Sequence, residues 1–199
     1  MGSPDSKSDT RPKRARDKIF EVSADMFYRE GIRAVGVEAI VKKAGVNKIS
    51  LYRSFSSKDD LVVAYLEDRS RTFLSKWDEM LDRYRDDPNA QLRAIMTYLA
   101  ERTTTEGYRG CPFINFCAEF PDPDHPGRQV ARATKAALRE RLFKMASSFK
   151  VASPMQLADG LLLLVEGTYA ISQTFGGGAD GPGHALVWSA EALVAMQQR

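Results

Sequence analysis

Apolar residues in this chain recur at spacings of three and four and never alternate with polar ones over a strand's length. That pattern commits the chain to helices. Ile19, Val22 and Met26, with Phe20 and Phe27 beside them, form one stripe, so the spacing predicts a helix from about Pro12 to Arg29 that Gly31 stops. Two short segments follow. The first carries Val37, Ile40, Val41 and Ala44 and closes at Gly45; the second carries Leu51 and Phe55 at i, i+4. Ser57, with Asp60 three residues on, has the form of a helix start and opens a long helix bearing Leu61, Tyr65, Phe73, Trp77, Met80 and Tyr84. Asp87 and Pro88 read as a cap and a first-turn proline ahead of Leu92, Ile95, Met96 and Leu99. Further helices are expected over residues 111–120, from the proline-rich turn at 121–126 through Met145, from Ser153-Pro154 to about Phe175, and from His184 to Gln198. Five glycines exclude residues 176–183 from helix. The expectation is an all-α chain of nine helices.

At 199 residues and 43% hydrophobic composition, the chain is long enough to bury a sizeable core. Its longest aliphatic run, Leu161 to Val165, is far short of a membrane span. No charged start followed by an apolar segment marks a secretory signal. Cys111 and Cys117 are too few for a disulfide framework and lack C-x-x-C spacing. A cytoplasmic setting with no membrane partner is the expectation. Charge is uneven. The first 60 residues hold 13 Lys and Arg against 9 Asp and Glu, whereas the remainder holds 16 against 17. A small basic module on a near-neutral body points to an anionic partner for the module. Arg11, Lys13, Arg14, Arg16 and Lys18 crowd together at its start. Arg11 to Arg16 are either an arm that reaches a neighbouring groove or a solvated tail.

Residues 37–55 have the grammar of a helix-turn-helix. Ile40, Val41, Ala44, Val46, Leu51 and Phe55 are phased to pack two short helices on each other and on the first helix. Ala44 permits close approach, and Gly45 supplies the positive φ of a tight turn. What remains outward is Asn47, Lys48, Ile49, Ser50, Tyr52, Arg53 and Ser54. That mixture of donors, hydroxyls and one exposed apolar side chain suits a helix lying in a major groove. The alternative is a plain surface hairpin of helices.

The stretch GIRAVGVEAIVKKAGVNKISLYRSFSSKDDL, residues 31–61, resembles the DNA-binding signature of the tetracycline-repressor (TetR) family of transcriptional regulators. The dense pattern AGV-x-K-x-x-LYR-x-F-x-SK-x-x-L carries the likeness over about a quarter of the chain. Residues 109–115 and 118–126 are similar to a group of these regulators that has no common ligand. The resemblance implies an all-α homodimer with a three-helix DNA-binding head and a helical ligand-binding and dimerisation body. On this chain it divides as a basic arm at 1–11, a head at 12–57 and a body at 58–199. The resemblance turns Lys48, Ile49, Ser50 and Tyr52 toward DNA, with Ser54 beside them. It makes Tyr52 and Lys58 phosphate clamps, which set register rather than sequence choice. Lys48 becomes the foremost base reader and Ile49 a contact for a thymine methyl. Two positions depart from the family pattern. Gly36 stands where a capping Thr is usual, leaving backbone amides to hold a phosphate. Ser54 stands where His is common, which puts one phosphate contact in doubt.

For the body, Phe73, Trp77, Met96, Tyr98, Phe113, Phe116 and Phe143 are candidate walls of an effector site, each with ordinary core packing as its alternative. Polar groups within apolar helices say more. Asn115 and Glu119 are i, i+4 on the segment at 111–120, and Glu166 follows the aliphatic run. A buried carboxylate needs a partner, either a cationic ligand or an Arg such as Arg102 or Arg109. Cys111 and Cys117 are a redox pair or core residues. His125 and His184 lie far apart with no ligand spacing, so no metal and no cofactor is expected. The last two helices are apolar on more than one face, which suits a two-fold homodimer interface on the side of Leu157, Leu161, Leu164, Thr168 and Ile171.

The reading that follows is a DNA-binding regulator, a repressor released from a palindromic operator by a small-molecule effector, and not an enzyme. Two other classes compete with it. An all-α di-metal enzyme would need Glu-x-x-His pairs, which are missing, and a thiol enzyme would need a base near a cysteine. A small-molecule binding protein without specific DNA recognition would show DNA affinity that falls with salt alike for all sequences.

Overall fold

The computed structural model describes residues 14–175 and 181–198. Among them are nine α-helices and one 3-10 turn, with no strand. The helices are α1 Ala15–Glu30, α2 Val37–Ala44, α3 Lys48–Ser54, α4 Lys58–Arg83, α5 Pro88–Thr103, α6 Pro112–Glu119, α7 Pro126–Ala146, α8 Pro154–Phe175 and α9 Leu186–Gln197. The expected arm at residues 1–11 lies outside the described residues, as do positions 176–180 of the glycine loop.

The capping residues set the helix starts. Ser57 Oγ accepts from the Asp60 amide at 3.0 Å, and Asp87 Oδ1 accepts from the Ala90 amide at 2.9 Å. The first helix begins at Ala15 rather than Pro12, with Arg14 extended at the N-cap position. The last begins at Leu186 rather than His184. Pro182–Ala185 instead form a 3-10 turn in which the Leu186 amide donates to the Gly183 carbonyl.

One core runs the length of the molecule. Ile19, Phe27, Ile40, Leu51 and Leu61 close the amino-terminal cluster. Helix α4 continues out of it into the body, where it packs on α7; α7 packs on α8, and α9 lies across α8 and α5. Helices α8 and α9 cross closely where Gly160 faces Leu193, because a Cβ at Gly160 would come within 2.7 Å of the leucine methyl.

The outward face of α8 differs from the expected one. Leu157, Leu161 and Thr168 are buried within the chain's own core, and Leu164 and Ile171 are half-buried. Leu163, Gly167 and Ala170 are exposed in its middle, with Leu163 at 74% of its full exposure, and Phe175 is exposed at its end. On α9, Trp188 is 71% exposed, and Met196, about two turns further on, is exposed as well. The aliphatic run was long enough to supply two faces, and neighbours α7 and α9 took the one that the sequence pattern assigned outward. No helix among the described residues is long and apolar enough to cross a membrane.

Candidate nucleic-acid interface and its ties to the body

Gly45 makes the turn between α2 and α3. Its φ of +64° lies in the left-handed region, and its N–H caps the end of α2 on the Val41 and Lys42 carbonyls. Space is not the reason for glycine here, since nothing lies within 4 Å of a Cβ at this position. Asn47 then starts α3, its Oδ1 accepting from the Ser50 amide at 2.8 Å. Leu51 is fully buried and anchors α3 on α1, while the Arg16 guanidinium stacks 5.0 Å over the Phe55 ring.

This anchoring turns a defined face outward. Ile49 is 69% exposed and Tyr52 45%, and Asn47, Lys48 and Arg53 are exposed with them. Ser50 and Ser54 are half-buried, and the Ser54 hydroxyl donates to the Ser50 carbonyl at 2.9 Å. Lys48 donates to Glu38 of α2 at 2.7 Å, and that hydrogen bond to a carboxylate raises its pKa. The ammonium keeps two more protons for other acceptors. Asn47 has committed its oxygen to the cap and retains its NH2 group. Gly36, exposed at the N-cap of α2, offers no side-chain cap, in keeping with its departure from Thr.

Lys58 is tied inward. Its Nζ donates to the Ile32 carbonyl at 2.6 Å, and burial pushes its amine below the ordinary lysine range. The same loop is gripped from the body. Glu119, at the end of α6, accepts from the Ile32 and Arg33 amides at 3.1 and 2.7 Å. Gly31 enters this loop at φ +92°, and a Cβ there would touch the Glu119 carboxylate at 3.4 Å. Arg33 lies 5.8 Å over the Phe120 ring, which stacks on Phe116. A second tie uses Tyr28 of α1, whose hydroxyl accepts from the Arg109 amide at 2.9 Å and donates to the Gly110 carbonyl at 3.2 Å. Sequence reasoning missed both ties. The available signal was Glu119 at the end of an apolar segment, but its partners are backbone amides more than 80 positions away.

The candidate effector residues do not all converge on one site: Asn115, Phe116 and Glu119 border a cavity of about 370 Å³ against Tyr28 and Ile32 of the head. Phe113 and Glu166 line a cavity of about 650 Å³ between α6, α7 and α8. Tyr98 lines another, of about 460 Å³, beside Tyr28 and Arg102. Phe73 and Phe113 border a space of only about 40 Å³ next to Tyr169. Trp77, Met96 and Phe116 are fully buried in the core, and Phe143 packs half-buried against it. Asn115 donates to the Arg109 carbonyl at 2.6 Å, so it closes the loop ahead of α6. Neither carboxylate takes Arg102 or Arg109 as its partner. Glu119 holds the two amides, and Glu166 pairs with Lys135 at 2.6 Å. Lys135 also lies 3.4 Å from the buried Cys111 sulfur. Among the described residues no group of His, Cys, Asp and Glu is placed to hold a metal ion.

A head with this exposed helix, set on a body of six helices, is matched among known proteins. Residues 19–65 match the family described as bacterial regulatory proteins, tetR family. The chain is 24% identical over 156 residues to the transcriptional regulator YjdC of Escherichia coli, covering 76% of this chain and 80% of that one. It is 33% identical over 79 residues to the transcriptional repressor KstR2 of Mycolicibacterium smegmatis, covering 40% and 38% of the two chains. The crystal structure of SCO4454, a TetR-family transcriptional regulator from Streptomyces coelicolor, superposes with a TM-score of 0.85 at 26% identity, over 93% of this chain and 96% of that one. These relatives are regulators, not enzymes, and with the fold and the outward face of α3 they define a helix-turn-helix transcriptional regulator. Residues 19–65 carry the tetR-family signature, and the chain resembles a TetR-family regulator over nearly its whole length.

Proposed function

We propose that the chain is a repressor that binds a palindromic operator as a homodimer and is released by a small molecule held in its body. The observation that carries this reading is the exposed set Lys48, Ile49, Tyr52 and Arg53 on a short helix capped at its start and anchored by a buried leucine. In this reading Lys48 and Ile49 read base edges and Arg53 reaches either a base or the backbone. Tyr52, Ser50 and Ser54 hold phosphates, with Asn47 and the amides at Gly36 beside them. Lys58 adds a phosphate contact with the protons that Ile32 leaves free. Two recognition helices about 34 Å apart then meet successive major grooves. The unit at 12–57 reads DNA and the unit at 58–199 senses the effector and dimerises.

The dimer forms through the exposed apolar positions of α8 and α9, Leu163 and Trp188 foremost. Release requires an effector that binds the two states of the protein with different affinity. Helix α6 connects the two activities. Phe113 and Ile114 of α6 line the 650 Å³ cavity, and Glu119 at its end holds the head. Selection from a random duplex pool at near-physiological salt tests the reading. A recovered palindrome supports it, whereas affinity that falls with salt equally for every sequence removes specific recognition.

A further inference from the structure

The cavity between α6, α7 and α8 carries a charge imbalance that contacts within the chain do not remove. Its apolar wall is α6, with Phe113, Ile114 and Ala118 facing the space. Its other wall is α7, which contributes Arg128, Arg132 and Lys135. Positions i, i+4 and i+7 share one helix face, so the three cations line up along it. Among the described residues lining the cavity, only Glu166 is negative, and it is held by Lys135 at 2.6 Å. Arg128 donates to the Cys117 carbonyl at 3.3 Å, which satisfies one donor and neutralises no charge. Arg132 is exposed and has no hydrogen-bond or ion-pair partner among the described residues. Two guanidinium groups one turn apart therefore face an apolar wall with no counter-charge. A guanidinium fork matches the paired oxygens of a carboxylate or phosphate. A cavity of about 650 Å³ is of the size that encloses a small organic molecule.

We propose that this cavity binds an amphiphilic organic anion, its acid head on Arg132 and Arg128 and its aliphatic body against Phe113, Ile114 and Ala118. The inference rests on the reading of the body as the sensing part and gives that site its ligand chemistry. It also reverses the sign expected from Glu166 alone. The carboxylate that suggested a cationic ligand is already neutralised by Lys135, and the unmatched charges are the arginines. Glu166 acts as a competitor of the ligand head for the same cationic face. The ligand wall and the residue that grips the head belong to one eight-residue helix.

Titration calorimetry on the full-length protein tests this with four ten-carbon probes, each below its micelle concentration or solubility limit: decanoate, decyl phosphate, decan-1-ol and decylammonium. Decanoate or decyl phosphate is expected to bind at one site per chain, about tenfold or more tighter than decanol, with decylammonium not bound. The tighter of the two acids identifies a carboxylate or a phosphate head. Arg132→Gln, a change at an exposed position, should weaken acid binding about tenfold, and Glu166→Gln should tighten it severalfold. Opposite signs from two changes in one cavity are not produced by a general loosening of the fold. The proposal is overturned if decanol matches the acids, if decylammonium binds, if no probe binds, or if Arg132→Gln leaves acid binding unchanged. Calorimetry contains no DNA, so its failure is separable from failure of the repressor reading. Acid that binds without releasing selected DNA would refute release by this ligand and leave this site standing; DNA released by some other compound while no acid probe binds would do the reverse.

Discussion

Tyr52 keeps about half its surface in water although it sits one residue from the fully buried Leu51. The contrast follows from helix geometry, because adjacent residues point about 100° apart and one can anchor while the next is presented. Tyr52→Ala removes a presented group and no core, so operator affinity should fall about tenfold with unfolding unchanged. Fluorescence anisotropy with the selected duplex, paired with a denaturation curve, checks both halves. Unaltered affinity would take Tyr52 out of the interface. Gly45, Leu51 and the outward placement of Asn47, Lys48, Ile49, Tyr52 and Arg53 were legible in the sequence because each depends on local rules, a positive φ and a spacing of four, whereas Ser50 and Ser54 are half-buried. The Lys48–Glu38 bond was not legible, since it depends on how two helices cross.

At the scale of elements, the starts of α4 and α5 were readable from Ser57, Asp87 and Pro88, which act within one turn. The role of α6 was not. Its apolar residues and Glu119 suggested a ligand site, but the carboxylate serves the loop between α1 and α2 through amides of Ile32 and Arg33. An amide N–H leaves no signature in a sequence, so a carboxylate that binds two of them resembles one in want of a ligand. Glu119→Gln weakens charge-assisted bonds to two donors, each worth about 1.5–3 kcal/mol. Amide exchange at Ile32 and Arg33 should quicken while exchange in α7 and α8 stays as it was. Equal protection in the two proteins would mean that the loop holds itself. The outward face of α8 was misassigned for a related reason. A helix apolar all round does not say which neighbour covers which side, and Leu161 went to the core while Leu163 stayed in water.

For the whole molecule, the proposed homodimer rests on the exposed Leu163 and Trp188. Leu163→Glu together with Trp188→Glu should yield monomers by sedimentation while keeping helical content, because neither side chain contributes to the chain's own core. A dimer that survives both changes would place the interface elsewhere. The body is also laced by ion pairs between helices. Arg141 of α7 holds Asp78 of α4 through two bonds of 2.7 Å, and this contact lowers the Asp78 pKa. A carboxylate with a lowered folded pKa adds stability above its ordinary value, about 3.9, and that stability is lost as pH falls through the lowered one. Asp78→Asn should therefore destabilise the protein slightly at pH 7, by less than about 1 kcal/mol for so exposed a pair, and the difference should be smaller well below the ordinary carboxylate value than at pH 7. Urea midpoints at the two pH values measure it. A gap that persists in acid would assign the loss to packing instead of charge.

The grip of Glu119 and Tyr28 on opposite sides of residue 57 bears on how such proteins are recombined. A chimera that grafts a foreign reading head onto this sensor at that junction preserves the continuous peptide and severs the paired fastenings. On the proposed reading, such a hybrid would still recognise its DNA and still take up its effector, yet one event would go unheard by the other. Successful grafts from this scaffold would carry the loop at 31–36 and the residue equivalent to Tyr28 as part of the sensor's inheritance.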